Sequence, residues 1–491
     1  MPPFTRTRVW SVMSEVATAA NACPCHAPAP LRVPTSTAAC AHHGQTRHAT
    51  IKDNDTDYAF EMAASNIRYG NGVTREIGHD LKHLKAQKVA IFTDKKIATL
   101  PPSQTVLKSL ESLKIPYVLY DRVRVEPTDK SFQDAIQFSK QHNPDAFVAV
   151  GGGSVIDTAK AANLYLCHPD AEFLDFVNAP IGKGRNVTNS VKPLIAVPTT
   201  AGTGSETTGV AIFDYTPQSF KTGIANRVLK PTLGIIDPQN TATMPPQVHV
   251  SSGLDVLCHA LESYTALPYT HRAPRPATPQ DRPAYQGSNP ISDIWSLKAL
   301  KMCVQNLPRV WKSGGADERA REEMVLAATY AGVGFGNAAL LSAPLLETGV
   351  HLCHGMSYPI AGLNKGYRHV GYDVGHDIVP HGISVALTAP AVFKFTAPAC
   401  PERHLEAAAL FGVDTSRANP ADAGLILSDA LRKFLRDLDV PDGLEAVGYG
   451  RSDLGRLVEG TLPQHRVTKL SPKTAGREVL EELFEGSLRI Y

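Results

Sequence analysis

The chain has 491 residues, enough for two or three domains, and 43% of them are hydrophobic and 20% charged. This composition is typical of folded globular proteins rather than disordered chains. The formal net charge of +2 gives no indication of nucleic acid or an anionic membrane as a partner. The apolar runs are too short to span a bilayer. Eight cysteines in a chain of this length do not make a disulfide framework, so we expect a reducing compartment.

The N-terminal segment differs in composition from the rest of the chain. Its first fifty residues contain four arginines, and Glu15 is the only acidic residue before Asp53. A basic, alanine- and serine-rich segment with few acidic residues is typical of a mitochondrial transit peptide. We therefore predict that residues 1–55 direct the protein to the mitochondrial matrix, with a plain disordered tail as the alternative.

Alternating strand and helix patterns occupy residues 56–244. Strands are predicted over Lys88–Asp94, Pro116–Asp121, Asp145–Val150 and Leu194–Thr200. Amphipathic helices are predicted between them, at Ser103–Leu113 and Lys130–His142. Such alternation produces a mostly parallel sheet with helices on both faces. Residues 56–244 are therefore predicted to be an α/β nucleotide-binding domain.

Two loops at the ends of predicted strands have the composition of anion-binding loops. The strand ending at Val150 runs into Gly151–Ser154, and glycines before a helix let an anion approach free backbone N–H groups. The strand ending at Thr200 runs into a second small, hydroxyl-rich loop that ends at Glu206. Because both loops leave the same edge of the sheet, a dinucleotide bridging them is expected. The alternative is a tight turn that needs glycine for steric reasons, and the G-x-G-x-x-G fingerprint is absent.

Helical patterns follow the Pro245–Pro246 pair, where the strand signals stop. They include Asp317–Gly332 and Ala423–Leu438, so residues 245–491 are predicted to form an all-helical domain. The proline-dense stretch Pro268–Pro290 is predicted to be a surface loop.

Asp255 and His259 stand one turn apart on one of these helices, in the stretch GLDVLCHALE. Residues four apart lie on one helix face, about 6 Å from each other. Such a pair can share a hydrogen bond between packed helices, or it can bind one metal ion. His354 and His381 would supply two more imidazoles. One carboxylate and three imidazoles suit Fe²⁺ or Zn²⁺ and leave room for a substrate oxygen.

The order of these motifs resembles that of the iron-containing (group III) alcohol dehydrogenase family. It runs GGGS-x-x-D, PTT-x-GTGSE, G-x-D-x-x-x-H-A-x-E, HGM and PHG, and the resemblance extends from about Ser65 to the carboxyl end. The resemblance implies a dehydroquinate synthase-like architecture, an α/β domain followed by a helical one. It also implies that the metal ligands are Asp255, His259, His354 and His381. It implies NAD contacts at Asp94, Gly152, Gly153, Ser154, Asp157, Thr199, Thr200, Thr208 and Lys221.

Further segments, among them TDYAFEMAASNIRYG and RPAYQGSNPISDIW, resemble a mitochondrial branch of that family. The resemblance implies that tightly bound NAD carries a hydride from 4-hydroxybutyrate to 2-oxoglutarate, giving succinate semialdehyde and 2-hydroxyglutarate. The expected partners are these small acids, and the sequence leaves open whether the chain forms a homodimer. The alternatives are an alcohol dehydrogenase that releases NADH, a disabled cofactor-binding relative, and a cyclase related to dehydroquinate synthase.

Two departures from the family pattern bear on this expectation. Tyr358 stands where many members have a second histidine, so a proton-relay role does not transfer to this position. Its hydroxyl can still donate a hydrogen bond to the substrate, and Tyr358 is kept as a catalytic candidate. The segment Ala339–Thr348 adds ten residues between GFGNA and GVHLCHG. As continuous helix it would end about 80° short of three full turns and aim His354 away from Asp255, whereas a break at Pro344 would preserve the register. Lys365 and Arg368 are candidates for binding a substrate carboxylate.

Overall fold

Eight strands form the β-structure in the computed structural model, which describes residues 56–62, 66–278, 282, 286–336 and 349–491. In chain order they are β1 (Ile67–Tyr69), β2 (Val89–Phe92), β3 (Tyr117–Tyr120), β4 (Ala146–Gly151), β5 (Leu194–Pro198), β6 (Val210–Tyr215), β7 (Phe220–Ala225) and β8 (Leu233–Ile236). Six of them make a parallel sheet in the order β1-β8-β5-β4-β2-β3. The remaining two, β6 and β7, form an antiparallel hairpin.

Helices account for most of the remaining regular structure. The first four are α1 (Ile77–His83), α2 (Pro101–Ser112), α3 (Asp129–His142) and α4 (Gly153–Leu166). After the last strand come α5 (Pro246–Thr265), α6 (Pro290–Lys312), α7 (Glu318–Phe335), α8 (Leu352–Gly362), α9 (His381–Ala386), α10 (Ala389–Thr396), α11 (Pro401–Leu410), α12 (Ala423–Asp437), α13 (Leu454–Thr461), α14 (His465–Thr468) and α15 (Arg477–Glu485). None of the helices in the described ranges is long and apolar enough to cross a membrane.

Both faces of the parallel sheet are buried, because successive side chains of a strand point to opposite faces. In the central strand β4, Val148 packs with the side chains of α1 and α2. Its neighbour Phe147 packs on the other face with side chains of α4. All six residues of β4 are buried, which explains why its sequence is an unbroken apolar run rather than an alternating one.

The predicted strands and helices agree with the structure wherever the sequence pattern was strong. All four predicted strands and both predicted helices of the α/β part are present, within a few residues at their ends. The prediction missed β1, β8 and the β6–β7 hairpin. Strands β1 and β8 have only three and four residues, and β7 contains Lys221, Thr222 and Gly223 in succession. The last strand ends at Ile236 and α5 begins at Pro246, so the structure changes from α/β to helical between them. The division into domains at residue 244 stays a prediction.

The prediction of a surface loop over Pro268–Pro290 was wrong for its described C-terminal end. Gln286, Ser288 and Asn289 are buried. Asn289 accepts hydrogen bonds from the backbone N–H groups of Ile291 and Ser292 and so caps α6, which holds this end of the segment against the protein. The predicted transit peptide, residues 1–55, and the added segment Ala339–Thr348 lie outside the described residues.

Helix α7 packs directly on the hydroxyl-rich loop that follows β5. Gly204 in that loop has a φ of +60°, and a Cβ there would lie 2.7 Å from Cα of Gly332 in α7. A Cβ at Gly332 would lie 2.4 Å from Oγ1 of Thr207. Backbone therefore meets backbone at this contact, and only glycine fits on either side.

We expect Gly332→Ala to lower the thermal unfolding midpoint. Alanine favours a helix over glycine by about 1 kcal/mol, but the clash costs about 1–3 kcal/mol and outweighs that gain. Gly455 of α13 is the control, because a Cβ there meets nothing within 4 Å. Gly455→Ala should raise the midpoint, and a rise in both variants, measured by calorimetry, would contradict the close contact.

Candidate functional site

Imidazole nitrogens from three helices approach one oxygen of Asp255. Oδ1 of Asp255, in α5, lies 3.4 Å from Nε2 of His354 in α8. It lies 3.6 Å from Nε2 of His381, the first residue of α9. Nε2 of His259, one turn further along α5, is also 3.6 Å away. The ligand atoms of Asp255, His354 and His381 all lie within 4.8 Å of one another, and His259 flanks this group of three.

These atoms fit a metal site better than a hydrogen-bonded packing network. Oδ1 of Asp255 and Nε2 of His354 are buried and have no hydrogen-bond partner among the described residues. Their distances of 3.4–3.6 Å exceed the usual 2.7–3.2 Å of an N–H···O bond. Two ligand atoms around a tetrahedral ion with bonds of about 2.1 Å lie about 3.4 Å apart. The alternative of a simple Asp255–His259 hydrogen bond is therefore not what the structure contains.

Glu262 supports this cluster, and the sequence-based assignment gave it no role. Its Oε2 accepts a hydrogen bond from Nδ1 of His354, and its Oε1 accepts one from the backbone N–H of Cys353 at 2.6 Å. A carboxylate on the far nitrogen of a metal-binding histidine fixes the ring orientation and leaves Nε2 free for the ion. The signal was present in the sequence, because Glu262 lies seven residues after Asp255 and therefore on the same helix face.

Burial and the two carboxylates set the protonation of the cluster. Burial lowers the pKa of His259 to about 3 and also lowers the pKa of His381, so both imidazoles favour the neutral, ligating form. Burial opposes charge at His354 too, but the carboxylates of Glu262 and Asp255 outweigh it and raise the pKa of His354 to about 10. Burial would raise the pKa of Asp255, but the surrounding histidines lower it below its ordinary value. The cluster thus stabilises positive charge at its centre.

A cleft of about 250 Å³ runs along the carboxyl ends of the parallel strands and reaches the cluster at Asp255 and His381. We call it the cofactor cleft. Six of the predicted NAD-binding residues line it: Asp94, Gly152, Gly153, Ser154, Thr199 and Thr200. Ligands of open α/β sheets bind at this edge.

The hydroxyl of Thr199 fits an expected ligand contact in this cleft. The residue is 3% exposed, and its Oγ1 has no hydrogen-bond partner among the described residues. A buried hydroxyl without a partner is costly, so such groups are commonly satisfied by a ligand or water. Asp94 also lines the cleft, but its Oδ1 accepts hydrogen bonds from the backbone N–H groups of Lys96 and Ile97. Its contact with adenosine stays a prediction.

The two glycines at the start of α4 are needed partly for packing between the two loops. A Cβ at Gly153 would lie 2.7 Å from Oγ1 of Thr203, and one at Gly152 would lie 3.1 Å from Oγ1 of Thr200. Gly152 has a φ of −76°, so no unusual backbone conformation requires glycine there. The steric explanation therefore accounts for part of the pattern, and the contact with pyrophosphate stays a prediction.

A smaller cavity of about 120 Å³ lies beside the metal cluster and adjoins the cofactor cleft there. We call it the metal cavity. The other predicted residues, Asp157, Thr208, Lys221 and Tyr358, line it together with the four ligand candidates. All of the predicted metal-binding, cofactor-binding and catalytic residues therefore line one of two adjoining spaces, although Asp157 and Lys221 have other partners as well.

Asp157 and Lys221 have protein partners that the sequence did not indicate. Oδ2 of Asp157 accepts a hydrogen bond from the backbone N–H of Ile212 at 2.9 Å. Nζ of Lys221 pairs with Glu126 and lies 3.3 Å from Oδ1 of Asp214, which raises the pKa of Lys221 despite its burial. The contact of Lys221 with the cofactor ribose stays a prediction.

Lys365 and Arg368 do not line either space. Lys365 forms an ion pair with Asp453, and Nε of Arg368 lies 2.8 Å from Oδ1 of Asp377. Their proposed contact with a substrate carboxylate was therefore wrong for this conformation. Among the residues that the structure describes, Lys221 is the only lysine or arginine lining the metal cavity.

Family profiles match most of the chain. The profile "Iron-containing alcohol dehydrogenase" matches residues 64–238, and "Fe-containing alcohol dehydrogenase family, C-terminal" matches residues 284–488. The chain belongs to the iron-containing alcohol dehydrogenase family. Membership agrees with the observed order of a parallel α/β sheet followed by helices, the dehydroquinate synthase-like architecture expected from the sequence.

Relatives within the iron-containing alcohol dehydrogenase family align along nearly the whole chain. The Xenopus tropicalis protein named "Hydroxyacid-oxoacid transhydrogenase, mitochondrial" is 59% identical over 453 residues, 92% of this chain and 96% of that protein. The Homo sapiens protein of the same name is 54% identical over 491 residues, and the alignment covers 100% of both chains.

Solved structures of other proteins share the fold. The crystal structure of 1,3-propanediol oxidoreductase has a TM-score of 0.74 and 23% identity, covering 88% of this chain and 100% of that one. Sulfoacetaldehyde reductase from Bifidobacterium kashiwanohense, solved in complex with NAD⁺, has a TM-score of 0.68 and 22% identity, covering 87% of this chain and 98% of that one. At these identities the similarity shows the fold alone.

We expect Glu262→Gln to weaken metal binding about 10–100-fold, the usual loss when the partner of a ligand histidine is changed. The neutral amide removes the charge that orients His354 and keeps the shape of the side chain. Glu206→Gln is the control, because Glu206 is also buried but accepts its hydrogen bond from Thr329 at 3.0 Å. Competition with a chelator measures the affinity, and equal affinities in both variants would contradict the role of Glu262.

We expect Thr199→Val to weaken NAD binding about 3–10-fold, the value of one hydrogen bond, without lowering the unfolding midpoint. No protein hydrogen bond is lost, because the hydroxyl has no described partner. In the control Thr461→Val, a buried hydroxyl bonded to the carbonyl of Leu457 at 2.8 Å is removed. That variant should have a lower unfolding midpoint. Its NAD affinity, measured by calorimetric titration, should be unchanged. The opposite pattern would place the cofactor elsewhere.

Proposed function

We propose that the chain is a hydroxyacid–oxoacid transhydrogenase that moves a hydride from 4-hydroxybutyrate to 2-oxoglutarate through retained NAD. The products are succinate semialdehyde and 2-hydroxyglutarate. The single observation that carries the proposal is that the metal cluster forms the wall between the cofactor cleft and the metal cavity. Asp255 and His381 line both spaces, as do Gly153 and Ser154 at the start of α4.

This arrangement suits hydride transfer between two bound partners. A substrate oxygen at the cluster would lie at the end of the cleft that holds the cofactor, so the reacting carbon and the nicotinamide would meet without diffusing. When bound, the metal ion acts as a Lewis acid on the substrate oxygen, and NAD accepts and returns the hydride.

The chain's own residues supply binding, orientation and exclusion of water. Asp255, His259, His354 and His381 would hold Fe²⁺ or Zn²⁺, and Glu262 orients His354. His354 is 2% exposed and His259 is 5% exposed, so little water reaches the cluster. A dry site strengthens every electrostatic interaction within it. The hydroxyl oxygen of the donor and the carbonyl oxygen of the acceptor would bind at the same position in the cluster. One site would therefore serve both halves of the reaction.

The relatives support the transhydrogenase over a simple dehydrogenase. Proteins named hydroxyacid-oxoacid transhydrogenase align with nearly the whole chain at 54–60% identity. The convergence of all four ligand candidates argues against a disabled relative. Those relatives are also named mitochondrial, which agrees with the predicted transit peptide and a location in the matrix. The homodimer stays a prediction that light scattering would test.

We expect deuterium at the carbinol carbon of 4-hydroxybutyrate to appear at carbon 2 of 2-hydroxyglutarate, without exchange into a pool of added unlabelled NADH. The reason is that the reduced cofactor does not leave between the two half-reactions. Mass spectrometry of the products measures the transfer. Continuous release of free NADH in the absence of 2-oxoglutarate would instead identify an ordinary dehydrogenase.

We expect Asp255→Asn to lose bound metal and to lower the rate of label transfer more than about 100-fold, since a ligand contributes more than its outer partners. The amide keeps the shape but removes the anionic oxygen that the imidazoles surround. Asp80→Asn is the control, because Asp80 of α1 pairs with Arg68 of β1 at 2.7 Å and lines neither the cofactor cleft nor the metal cavity. Metal analysis and the label assay should leave the control near wild type. Full metal content and turnover in Asp255→Asn would end the proposal.

A further inference from the structure

A third space, of about 440 Å³, adjoins the metal cavity, and we call it the outer cavity. The turn between β6 and β7 and the helices α8 and α13 form its walls. It shares no lining residue with the cofactor cleft among the described residues. The three spaces therefore follow one another, with the metal cavity in the middle.

Tyr358 and Lys221 form the junction between the metal cavity and the outer cavity, because both residues line both spaces. Tyr358 follows the ligand candidate His354 by one turn of α8, and it is 5% exposed. The backbone at Lys221 is held by the buried Gln464, whose Nε2 donates to the carbonyl of Lys221 at 3.2 Å. A molecule in the outer cavity would thus be separated from the metal cluster only by this junction.

The outer end of the cavity is exposed and carries more positive than negative side chains, namely Arg456 and Arg477 against Glu459; Arg456 also acts electrostatically on Asp453, whose pKa it helps to lower. Gly455, Arg456 and Glu459 of α13 line the cavity and are exposed to solvent. Glu459 is already paired, since its Oε1 lies 2.6 Å from Nη2 of Arg477. Arg456 forms no ion pair with any acidic residue in the described ranges. A cation at the mouth of a cavity attracts anions and raises their local concentration.

We propose that the outer cavity is the access route of the anionic substrates, and that Arg456 draws their carboxylates into it. The inference rests on the proposed function, which requires the oxidised donor to leave and the oxo acid to enter while NAD stays bound. NAD bound as proposed would occupy the cofactor cleft, so exchange would need a path that avoids this cleft. The outer cavity is such a path.

The chemistry of the two substrates fits one common route. In 4-hydroxybutyrate and in 2-oxoglutarate, the same number of carbon atoms separates the reacting carbon from a terminal carboxylate. Both acids, and both products, can therefore enter or leave with that carboxylate toward Arg456 and the reacting carbon toward the cluster. The other carboxylate of 2-oxoglutarate is bonded directly to the reacting carbon and would therefore lie beside the metal cluster.

A graded series at Gly455 tests the route. A Cβ at Gly455 meets no heavy atom within 4 Å, so Gly455→Ala, Gly455→Leu and Gly455→Phe should fold and fill the cavity stepwise. We expect kcat/KM for both acids to fall along the series, by at least about tenfold for phenylalanine, with NAD affinity and metal content unchanged. Gly450→Phe is the control, because Gly450 is equally open but does not line the cavity. Wild-type kcat/KM for both acids in Gly455→Phe would overturn the route.

A charge reversal tests Arg456. We expect Arg456→Glu to lower kcat/KM for 2-oxoglutarate about tenfold at low ionic strength. At high salt the attraction is screened, so kcat/KM of the variant should approach the wild-type value. Arg319→Glu is the control, because Arg319 is exposed on α7 and lines none of the three spaces. Equal effects in the two variants, or no effect in either, would show that Arg456 has no specific role.

The failure of this inference can be told apart from the failure of the proposed function. If the wild-type protein transfers no label between the two acids, the transhydrogenase is wrong, whatever the variants do. If the wild-type protein transfers label and Gly455→Phe transfers it equally fast, only the access route is wrong. If the wild type releases NADH from 4-hydroxybutyrate instead, the same variants measured in that assay still decide the route.

Discussion

The approach of three imidazoles to one oxygen of Asp255 is the constraint on which the rest of the structure depends. These groups come from α5, α8 and α9. Asp255, His259 and His354 are buried, and the side chain of His381 is 26% exposed where it lines the cofactor cleft. Bringing an aspartate and three histidines out of water without hydrogen bonds between them is costly. A bound cation would offset that cost, so the helical half is suited to hold an ion at this point.

Helix α5 is buried along most of its length, which makes it rigid. It carries two of the ligand candidates and also Glu262, which hydrogen-bonds to a third, His354. Asp255, His259 and Glu262 lie on one helix, so their spacing is fixed by helix geometry rather than by loop conformation. Glu262 then reaches across to His354 and to the backbone of α8, which ties the second helix to the first. The glycine contact between Gly204 and Gly332 joins the helical half to the loop that follows β5, next to the cofactor cleft.

The order of the three spaces links this architecture to a transhydrogenase rather than a simple dehydrogenase. The cofactor cleft, the metal cavity and the outer cavity adjoin in series, with the metal cluster between the first two. A cofactor bound at one end of the series and substrates exchanging at the other would not obstruct each other. Tyr358, at the second junction, occupies the position where the family commonly has a histidine. Tyr358 lines both the metal cavity and the outer cavity.

The sequence by itself determined the parallel sheet, the helical second half and the identity of the four ligand candidates. Those features depend on local periodicity and on motif order, which are visible in a single chain. It could not reveal β1, β8 or the β6–β7 hairpin, because strands of three to six residues are defined by pairing with a neighbour more than by their own sequence. Nor could it reveal that Lys221 pairs with Glu126 and Asp214, or that Lys365 and Arg368 turn away to other carboxylates. Those contacts join distant segments, so only the tertiary structure decided them.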